Sequence, residues 1–355
     1  MLVASAIPYS THDHGPITSN LSLMRPYSRR DFLRLTAGAA VSSLALPGLA
    51  SAGFLDRIFQ SPAQLTPAIT PNEEFYTTSY RSPPRVDARS WTLTLKGLVE
   101  RPITLSYPDL LARPSIKEIV TLECVGNRIA GDAISTAEWE GIPLKALLEE
   151  AGVSLSAVDA VFRAADGYSD SIPLKRALGG DVLVAHKMNG VPLPMGHGFP
   201  ARIIVPGIYG MKNVQWVTEI EAVDRDYQGY YQKQGWSDDA TVKTMSRIDL
   251  PGHGSTLRRG SYLVQGLAFA GTRGIRQVEV SLDGGTTWFP ATLEPLLSPF
   301  AWVFWRYEWQ VLVPDRYTLV VRATDGTGRV QTSIEQDPYP DGGTGLHEVT
   351  VTVTV

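Results

Sequence analysis

The side chain with the most distinctive chemistry in this sequence is a lone thiol. Cys124 is the only cysteine of 355 residues, in a segment 121–128 that reads Thr-Leu-Glu-Cys-Val-Gly-Asn-Arg. A nearby arginine lowers the pKa of a thiol and favours the thiolate, the form that binds metals. A buried thiol that packs as a small hydrophobe is the alternative. A single cysteine cannot form an internal disulfide, a four-cysteine iron–sulfur cluster or a CxxCH haem attachment. Any redox centre in this chain must therefore use one thiolate ligand or none.

Two further clusters combine polar side chains with a permissive backbone. His197 and Arg202 stand in the stretch 197–202, and Lys212 follows a Pro-Gly turn. Cations, an imidazole and glycines suit a phosphate-bearing ligand, with two solvated surface loops as the alternative. Residues 226–231 read Asp-Tyr-Gln-Gly-Tyr-Tyr. The phenol of Tyr227 could donate a hydrogen bond or relay a proton near a redox centre, whereas simple aromatic packing is the alternative.

A third pattern points to a different class of protein. Residues 281–288, Ser-Leu-Asp-Gly-Gly-Thr-Thr-Trp, fit the Asp-box of sialidases and other propeller proteins, which would indicate a glycan enzyme or binder. The box occurs once, whereas propellers repeat it in each blade. Because Asp-Gly-Gly between apolar runs is already a good hairpin turn, we interpret this segment as structural.

The N-terminal region has the order of an export signal. Arg29 and Arg30 precede an apolar stretch that runs through Leu49, and residues 50–52 read Ala-Ser-Ala. This order predicts a twin-arginine signal peptide over residues 1–52 and a periplasmic location. The apolar stretch is short for a membrane span, and an uncleaved anchor behind a chance arginine pair is the alternative. Twin-arginine export moves folded proteins, which suits one that receives its cofactor in the cytoplasm.

The remaining chain predicts two domains that position these clusters. Its length is sufficient for two domains, each with its own hydrophobic core. Its net charge of -4 shows no excess of positive charge that would attract nucleic acid. Hydrophobic periodicity predicts strands at 90–99, 119–122, 158–163 and 202–205 and helices at 107–113 and 144–151. Residues 251–254 form a predicted linker. Beyond it the pattern predicts only strands, spaced as in a sandwich, at 262–267, 277–281, 288–291, 307–311, 317–323 and 349–355.

In this order and spacing, the clusters resemble the sulfite oxidase family of molybdenum enzymes over residues 70–355. The resemblance implies an α+β protein. A mixed α/β molybdopterin-binding oxidoreductase domain at 53–250 would precede an all-β immunoglobulin-like dimerisation domain at 255–355. The segments 301–305 and 322–325 carry the likeness of the second domain. A molybdenum–molybdopterin cofactor and a homodimer are therefore expected.

The resemblance also implies roles for individual residues. Cys124 matches the protein ligand to molybdenum, Tyr227 the tyrosine at the metal and Trp139 the pocket tryptophan, and Arg128 is a candidate for supporting contacts. The residues that it implies for binding the pterin are Asn72, Phe75, Tyr76, Asn127, Asp166, His197, Arg202, Lys212, Asn213, Val214 and Gln215.

The chain departs from the family pattern where the substrate would bind. Sulfite oxidases carry a Phe-Val-Arg-Asn-His-like segment near the start of the domain, and the matching stretch here places Thr78 at the arginine and Tyr80 at the histidine. A second anion-binding arginine, five residues after the metal cysteine, is Ile129. Charge-assisted hydrogen bonds are the strong ones, so these changes put sulfite itself in doubt.

Three functions therefore remain open at this point. The first is two-electron oxygen-atom transfer with sulfite or a related small sulfur compound as substrate, by an exported sulfite dehydrogenase-like enzyme. The second keeps the cofactor but reduces S-oxides or similar, less anionic groups. The third is a non-enzymatic exported adhesion or glycan-binding module. For either enzyme, a separate electron carrier such as a c-type cytochrome is expected, because the chain has no haem motif.

Overall fold

The structure, a computed structural model, describes residues 66–355. The predicted signal peptide lies outside this range. Strands dominate, and the α-helices within the range have only four to eight residues. We expected a mixed α/β first domain. The structure has both helices and strands there, but the helices are few and short. No helix between residues 66 and 355 is long and apolar enough to cross a membrane.

Two sheets build the first part of the described chain. The first sheet contains, in spatial order, β2 (Ile103–Ser106), β1 (Thr92–Gly97), β10 (Val217–Val223), β5 (Asp159–Ala164) and β6 (Ser169–Pro173). The second contains β3 (Ile116–Glu123), β4 (Ile134–Pro143), β7 (Leu183–Met188) and β8 (Val191–Pro192), and β9 (Arg202–Ile204) also pairs with β7. Neighbouring strands are antiparallel except β1 and β10, which are parallel.

Short helices close the edges of these sheets for local reasons. Helix α1 (Tyr107–Ala112) begins at Ser106, which forms a capping box with Asp109. Helix α2 (Leu144–Ala151) ends as predicted at Gly152, whose φ of 66° is the left-handed conformation that glycine adopts readily. The buried face of α2 packs on the first sheet, within one apolar core. Helices α3 (Leu174–Ala177) and α4 (Tyr230–Lys233) are single turns.

The second part is a sandwich of two sheets. One sheet has β11 (Met245–Leu250), β13 (Gly260–Phe269), β17 (Val303–Val311) and β16 (Thr292–Leu293). The other has β12 (Thr256–Arg258), β19 (His347–Thr354), β18 (Arg316–Asp325), β14 (Ile275–Ser281) and β15 (Phe289–Pro290). Inward side chains of both sheets form one apolar core. Strand β11 lies in this sandwich, although we expected residues through 250 to belong to the first domain.

Candidate active site

A cavity of about 260 Å³ opens where several chain segments of the first part converge. Cys124 directly follows β3, Asp166 lies in the turn between β5 and β6, and Arg202 begins β9. Residues 210–216, which include a single 3-10 turn at Gly210–Lys212, pass along the wall before β10. The predicted site residues that line this cavity are Phe75, Tyr76, Cys124, Asp166, Arg202, Asn213, Val214 and Gln215.

Cys124 lies on the cavity wall as a free, half-buried thiol. Burial raises the pKa of this thiol, while hydrogen bonds from the Gly126 N–H and the Thr78 hydroxyl act in the opposite direction. A Cβ on Gly126 would lie 3.7 Å from the Cys124 sulfur, in ordinary contact. Two hydrogen-bond donors thus lie beside the sulfur of a thiol that lines the cavity.

Arg202 is a buried cation that forms no ion pair with an acidic residue between 66 and 355. Its Nη1 donates to the His197 carbonyl at 3.0 Å, and its Nη2 donates to the Asn213 carbonyl at 3.2 Å. Its Nε has no hydrogen-bond partner among the described residues. Burial lowers the pKa of the guanidinium from 12.5 to about 10. A buried charge in this state is costly unless an acceptor fills the cavity beside it, so the site favours an acceptor-rich or anionic group.

Trp139 lies behind Arg202. A pocket tryptophan would line the cavity, but Trp139 does not. It is fully buried, and the Arg202 guanidinium carbon sits 5.0 Å from its ring centroid. Its Nε1 donates to the Val120 carbonyl, and Phe75 packs edge-to-face against it. Trp139 therefore positions Arg202 by a cation–π contact, with no surface left for a substrate.

His197 and Asn72 support the wall from behind. The imidazole Nε2 of His197 donates to the Asn72 carbonyl at 2.7 Å, and its ring meets Phe75 edge-on. Burial lowers the pKa of His197, and the charge of Arg202 lowers it further, which favours the neutral ring. Its buried Nδ1 has no partner within residues 66–355. The Asn72 amide bonds to Met188 and Asn189, so both predicted cofactor-binding side chains act here through Phe75 and the backbone.

Lys212 is committed to an internal ion pair. Its side chain is 3% exposed, with Nζ 3.0 Å from Asp170 Oδ1 and 2.5 Å from Asp238 Oδ1. Burial alone would lower the pKa of Lys212, but the two carboxylates raise it above its ordinary value. In this structure Lys212 thus bonds to two aspartates and does not line the cavity, and its predicted contact with the cofactor stays a prediction.

Arg128 and Asn127 also turn away from the cavity. The Arg128 side chain is 78% exposed and lies 3.6 Å from Asp337. It does not favour the Cys124 thiolate, contrary to our expectation, because the charge is solvated. Asn127 donates to Glu123 Oε1 at 3.0 Å and accepts from the Ala133 N–H, which shapes the loop after the cysteine.

Tyr227 does not reach the cavity. Its hydroxyl contacts Ser169 Oγ at 2.8 Å and Arg163 at 3.3 Å, on the outer side of β6. Within the run 226–231, the phenol that lines the cavity is that of Tyr231, one turn later. Burial raises the pKa of Tyr231, and the Cys124 thiolate raises it further, which reflects their proximity. The single-turn helix α4 brings Tyr231, in the same aromatic run 226–231, to the cavity wall, and the role predicted for Tyr227 stays a prediction.

The sequence prediction missed much of the aromatic wall. Tyr168 and Trp236 line the cavity, and Tyr80 and Thr78 do so at the substrate-end positions where the family carries a cation. Ile129 lies elsewhere, near Gly345 in the loop before β19. The number of aromatic residues in the surrounding sequence could have identified Tyr80 and Tyr168 as part of the wall. The position of Trp236 could not be predicted in this way, because it packs against Tyr339 in the loop between β18 and β19.

The donor set fits a pterin cofactor that brings its own metal ligands. Among the described residues, no three His, Cys, Asp or Glu side chains group to hold a metal by themselves. Cys124 supplies one soft ligand, and the unpartnered Arg202 Nε supplies a charged donor. Asp166 and Gln215 add polar groups to the wall. The cavity therefore suits one thiolate-bound metal carried by an organic, acceptor-rich cofactor.

Comparisons with known proteins agree with this geometry. Residues 80–231 match the family profile of the oxidoreductase molybdopterin-binding domain, and residues 239–337 match that of the Mo-co oxidoreductase dimerisation domain. Mitochondrial sulfite oxidase of Rattus norvegicus is 32% identical over 311 residues, covering 74% of this chain. The chain spans 57% of the length of that rat protein.

Two further comparisons cover more of the matched protein. Sulfite oxidase of Gallus gallus is 33% identical over 324 residues, covering 77% of this chain and 70% of the chicken protein. The crystal structure of the sulfane dehydrogenase SoxCD from Paracoccus pantotrophus matches with a TM-score of 0.71 at 25% identity, covering 82% of this chain and 85% of that one. The chain therefore belongs to the sulfite oxidase family of molybdopterin-dependent oxidoreductases.

Proposed function

We propose that this chain is an exported molybdopterin oxidoreductase that catalyses two-electron oxygen-atom transfer on a small sulfur compound. The observation that carries the proposal is Cys124 on the cavity wall beside the unpartnered, buried Arg202. Family relatives named for sulfite and sulfane chemistry support a sulfur substrate. When bound, the molybdenum centre supplies the oxygen-atom transfer and the two-electron chemistry.

The chain's own residues would bind, orient and shield that centre. Cys124 would hold the metal, while Arg202, Asp166, the Gln215 side chain and the backbone of 213–215 would hold the pterin. Trp139 fixes Arg202 by its cation–π contact, and Phe75 and Tyr76 exclude water from the inner wall. Tyr231 takes the role we had expected of Tyr227: its hydroxyl, kept protonated by a raised pKa, donates a hydrogen bond to substrate oxygen.

The partners belong to the same proposal. The match of residues 239–337 to a dimerisation domain supports a homodimer. A separate one-electron carrier, a periplasmic c-type cytochrome, receives the electrons, since the sequence carries no haem motif. The Arg29-Arg30 segment supports export by the twin-arginine route. Purified, metal-loaded enzyme that turns over substrate yet reduces no c-type cytochrome would contradict the cytochrome part of this proposal.

The central test is the metal content of natively exported protein. We expect stoichiometric molybdenum in the wild type by mass spectrometry, and loss of molybdenum or of its thiolate-dependent absorption in Cys124→Ser. The oxygen of serine is a harder donor than sulfur, and its hydroxyl is far less acidic than a thiol and so does not readily ionise to bind this metal. Val125→Ala, which leaves the thiol in place, is the matched control and should keep the metal. Wild-type protein without molybdenum, from a host that makes the cofactor, would refute the proposal.

A further inference from the structure

A chain of hydrogen bonds links the cavity wall to the surface of the protein. Tyr168 lines the cavity, and its hydroxyl lies 2.9 Å from Asp170 Oδ2 and 2.8 Å from the Met211 carbonyl, either of which it can donate to. Asp170 Oδ1 lies 3.0 Å from Lys212 Nζ, which in turn lies 2.5 Å from Asp238 Oδ1. Each group thus lies within hydrogen-bond distance of the next, from a phenol on the wall to a carboxylate in the loop after α4.

The inner members of this chain are shielded from solvent, and the last member is open to it. Asp170 is fully buried, Tyr168 is 8% exposed, and the Lys212 side chain is 3% exposed. The Asp238 side chain is 41% exposed, so it can exchange protons with bulk water. Because apolar residues of similar volume are often as stable as a buried ion pair, stability alone does not account for these buried charges.

The protonation states of the chain suit the transfer of protons. Burial raises the pKa of Tyr168, and the charge of Asp170 raises it further, so the phenol holds its proton. Burial also raises the pKa of Asp170, which helps it to accept a proton, although the charge of Lys212 and the hydrogen bonds that Asp170 accepts act against the rise. Burial lowers the pKa of Lys212, but Asp170 and Asp238 together raise it above its ordinary value, so the lysine stays charged.

From this geometry we propose that Tyr168, Asp170, Lys212 and Asp238 form a proton relay between the cavity and solvent. The inference rests on the proposed molybdopterin function. In the oxidative direction, a sulfur compound and water give the oxygenated product, two protons and two electrons. The electrons pass singly to the separate one-electron carrier, and both protons must leave the cavity.

Each proton crosses the relay by a series of exchanges. The Tyr168 oxygen accepts a proton from water in the cavity while its own O–H bond breaks and an O–H bond forms at Asp170 Oδ2. The Asp170 carboxyl then turns and passes the proton to Lys212, which gives one of its own protons to Asp238 in the same exchange. The lysine therefore keeps its charge throughout. Asp238 releases the proton to solvent, and rotation of the hydroxyl and the carboxyl resets the relay.

Proton uptake during chemical reduction tests the relay without a substrate. Reduced methyl viologen delivers electrons without protons, so the protons that the site takes up on two-electron reduction come from solvent. In stopped-flow measurements on molybdenum-loaded protein, loss of the viologen colour follows the electrons, and a pH-indicator dye in weakly buffered solution follows the protons. Tyr168→Phe keeps the ring but removes the first link, and it should slow proton uptake relative to electron arrival about tenfold or more.

The exposed end of the relay offers a second variant with matched controls. Asp238→Asn should also slow proton uptake, though less, since water can replace part of an exposed carboxylate. Asp239→Asn changes the adjacent exposed aspartate and should leave the rate unchanged, and Asp238→Glu should restore most of the loss. Tyr209→Phe removes a buried phenol outside the cavity, whose oxygen accepts from the Lys243 N–H, and should leave the rate unchanged as well.

The outcomes separate the relay from the function on which it rests. Protein that contains stoichiometric molybdenum and oxidises a sulfur compound, but takes up protons at the same relative rate in Tyr168→Phe as in the wild type, would refute the relay and leave the proposed function standing. Slowing in Tyr168→Phe without slowing in Asp238→Asn would also refute it, because the protons would then reach solvent by another route. Absence of molybdenum would refute the proposed function itself, and the relay with it.

Discussion

Glu123 places a buried carboxyl directly before the thiol of the candidate metal site. Its Oε1 accepts from Asn127, and its Oε2 has no partner among residues 66–355. Burial raises the pKa of this carboxyl from 4.5 to about 7, while Asn127 and the charge of Arg247 act against the rise. The folded protein therefore holds a proton on Glu123 at pH values where the unfolded chain has released it.

This difference predicts how stability depends on pH. Between pH 4.5 and 7 the folded state binds one more proton than the unfolded state, so stability must fall as pH rises through that window. The loss amounts to about 2–3 kcal/mol between pH 5 and pH 8. Glu123→Gln should remove it, so the variant gains stability relative to the wild type as pH rises. Urea unfolding of cofactor-free protein at the two pH values measures the effect.

A charge control is available for this experiment. Glu74→Gln changes an exposed glutamate outside the cavity, so it should leave the wild-type difference between the two pH values in place. If Glu123→Gln kept that difference as well, the Glu123 carboxyl would not be the proton-binding group, and the buried environment we describe for it would be wrong.

The sequence predicts the site well where local chemistry decides and poorly where distant segments decide. Cys124 and Arg202 stand in motifs whose residues also meet in space, and both line the cavity. The partners of Lys212, by contrast, are Asp170 and Asp238, each far away in the chain. Which phenol of the run 226–231 lines the cavity depends on a single helical turn: Tyr231 does, whereas Tyr227, the residue that the motif indicates, does not.

At the scale of strands, the sandwich depends on a close backbone approach between β11 and β13. Gly266 of β13 pairs opposite Ile248, next to a register shift in β11. A Cβ on Gly266 would fall well inside van der Waals contact with the Arg247 carbonyl and 3.0 Å from the Trp305 ring. The absence of a side chain at 266 therefore lets β11 join the sandwich.

Gly266→Ala should destabilise the protein by about 2–3 kcal/mol, because neither the backbone of β11 nor the buried Trp305 can move freely. Chemical unfolding followed by tryptophan fluorescence measures the change. Gly196→Ala is the matched control, since a Cβ there meets nothing within 4 Å, and it should cost much less. Equal stabilities for the two variants would contradict the close packing of β11 on β13.

Strands were predicted correctly where apolar and polar residues alternate along the whole segment. They were missed where a strand forms only because it pairs with a segment further along the chain. The predicted helix at 144–151 and its glycine stop agree with α2, because both signals are local. Strand β11 escaped prediction because its burial pattern alternates only partly and its partner β13 lies beyond the turn at 251–254. The predicted strand at 288–291 is only the two-residue β15, because the chain passes directly from it into β16 of the other sheet.

At the scale of the whole molecule, the sandwich helps to hold the strand that carries the thiol. The Trp302 N–H donates to Thr121 Oγ1 at 2.8 Å, and the Thr121 N–H donates to the Phe300 carbonyl at 3.1 Å. Side chains from both parts also share one apolar cluster, which includes Val125, Tyr209 and Phe269. A cofactor site at the end of β3 is therefore coupled to the fold of the second part, and we expect both parts to unfold together.

Arg247 provides the sharpest test of that coupling. Its guanidinium donates to Asp249 at 2.7 Å, to the Gly131 carbonyl at 2.9 Å and to Thr66 Oγ1 at 2.8 Å. It thus joins β11 of the sandwich to the loop after Cys124 and to the start of the described chain. The side chains of Arg247 and Asp249 are only 12% and 10% exposed, so removing the cation leaves a carboxylate buried without its counter-ion.

Arg247→Met should therefore cost about 3–5 kcal/mol, measured by calorimetry and chemical unfolding. Arg322→Met removes an ion pair with Glu279 inside the sandwich that is more exposed, and it should cost about 1 kcal/mol or less. Adding Asp249→Leu to Arg247→Met should recover part of the loss, because the stranded carboxylate is then gone. A small loss in Arg247→Met, equal to that in Arg322→Met, would mean that the two parts are coupled without Arg247, by their shared apolar cluster and the hydrogen bonds of Thr121. Full recovery in the double variant would mean that the contacts to Gly131 and Thr66 contribute nothing, and the thiol-bearing loop would then be positioned from β3 rather than from β11.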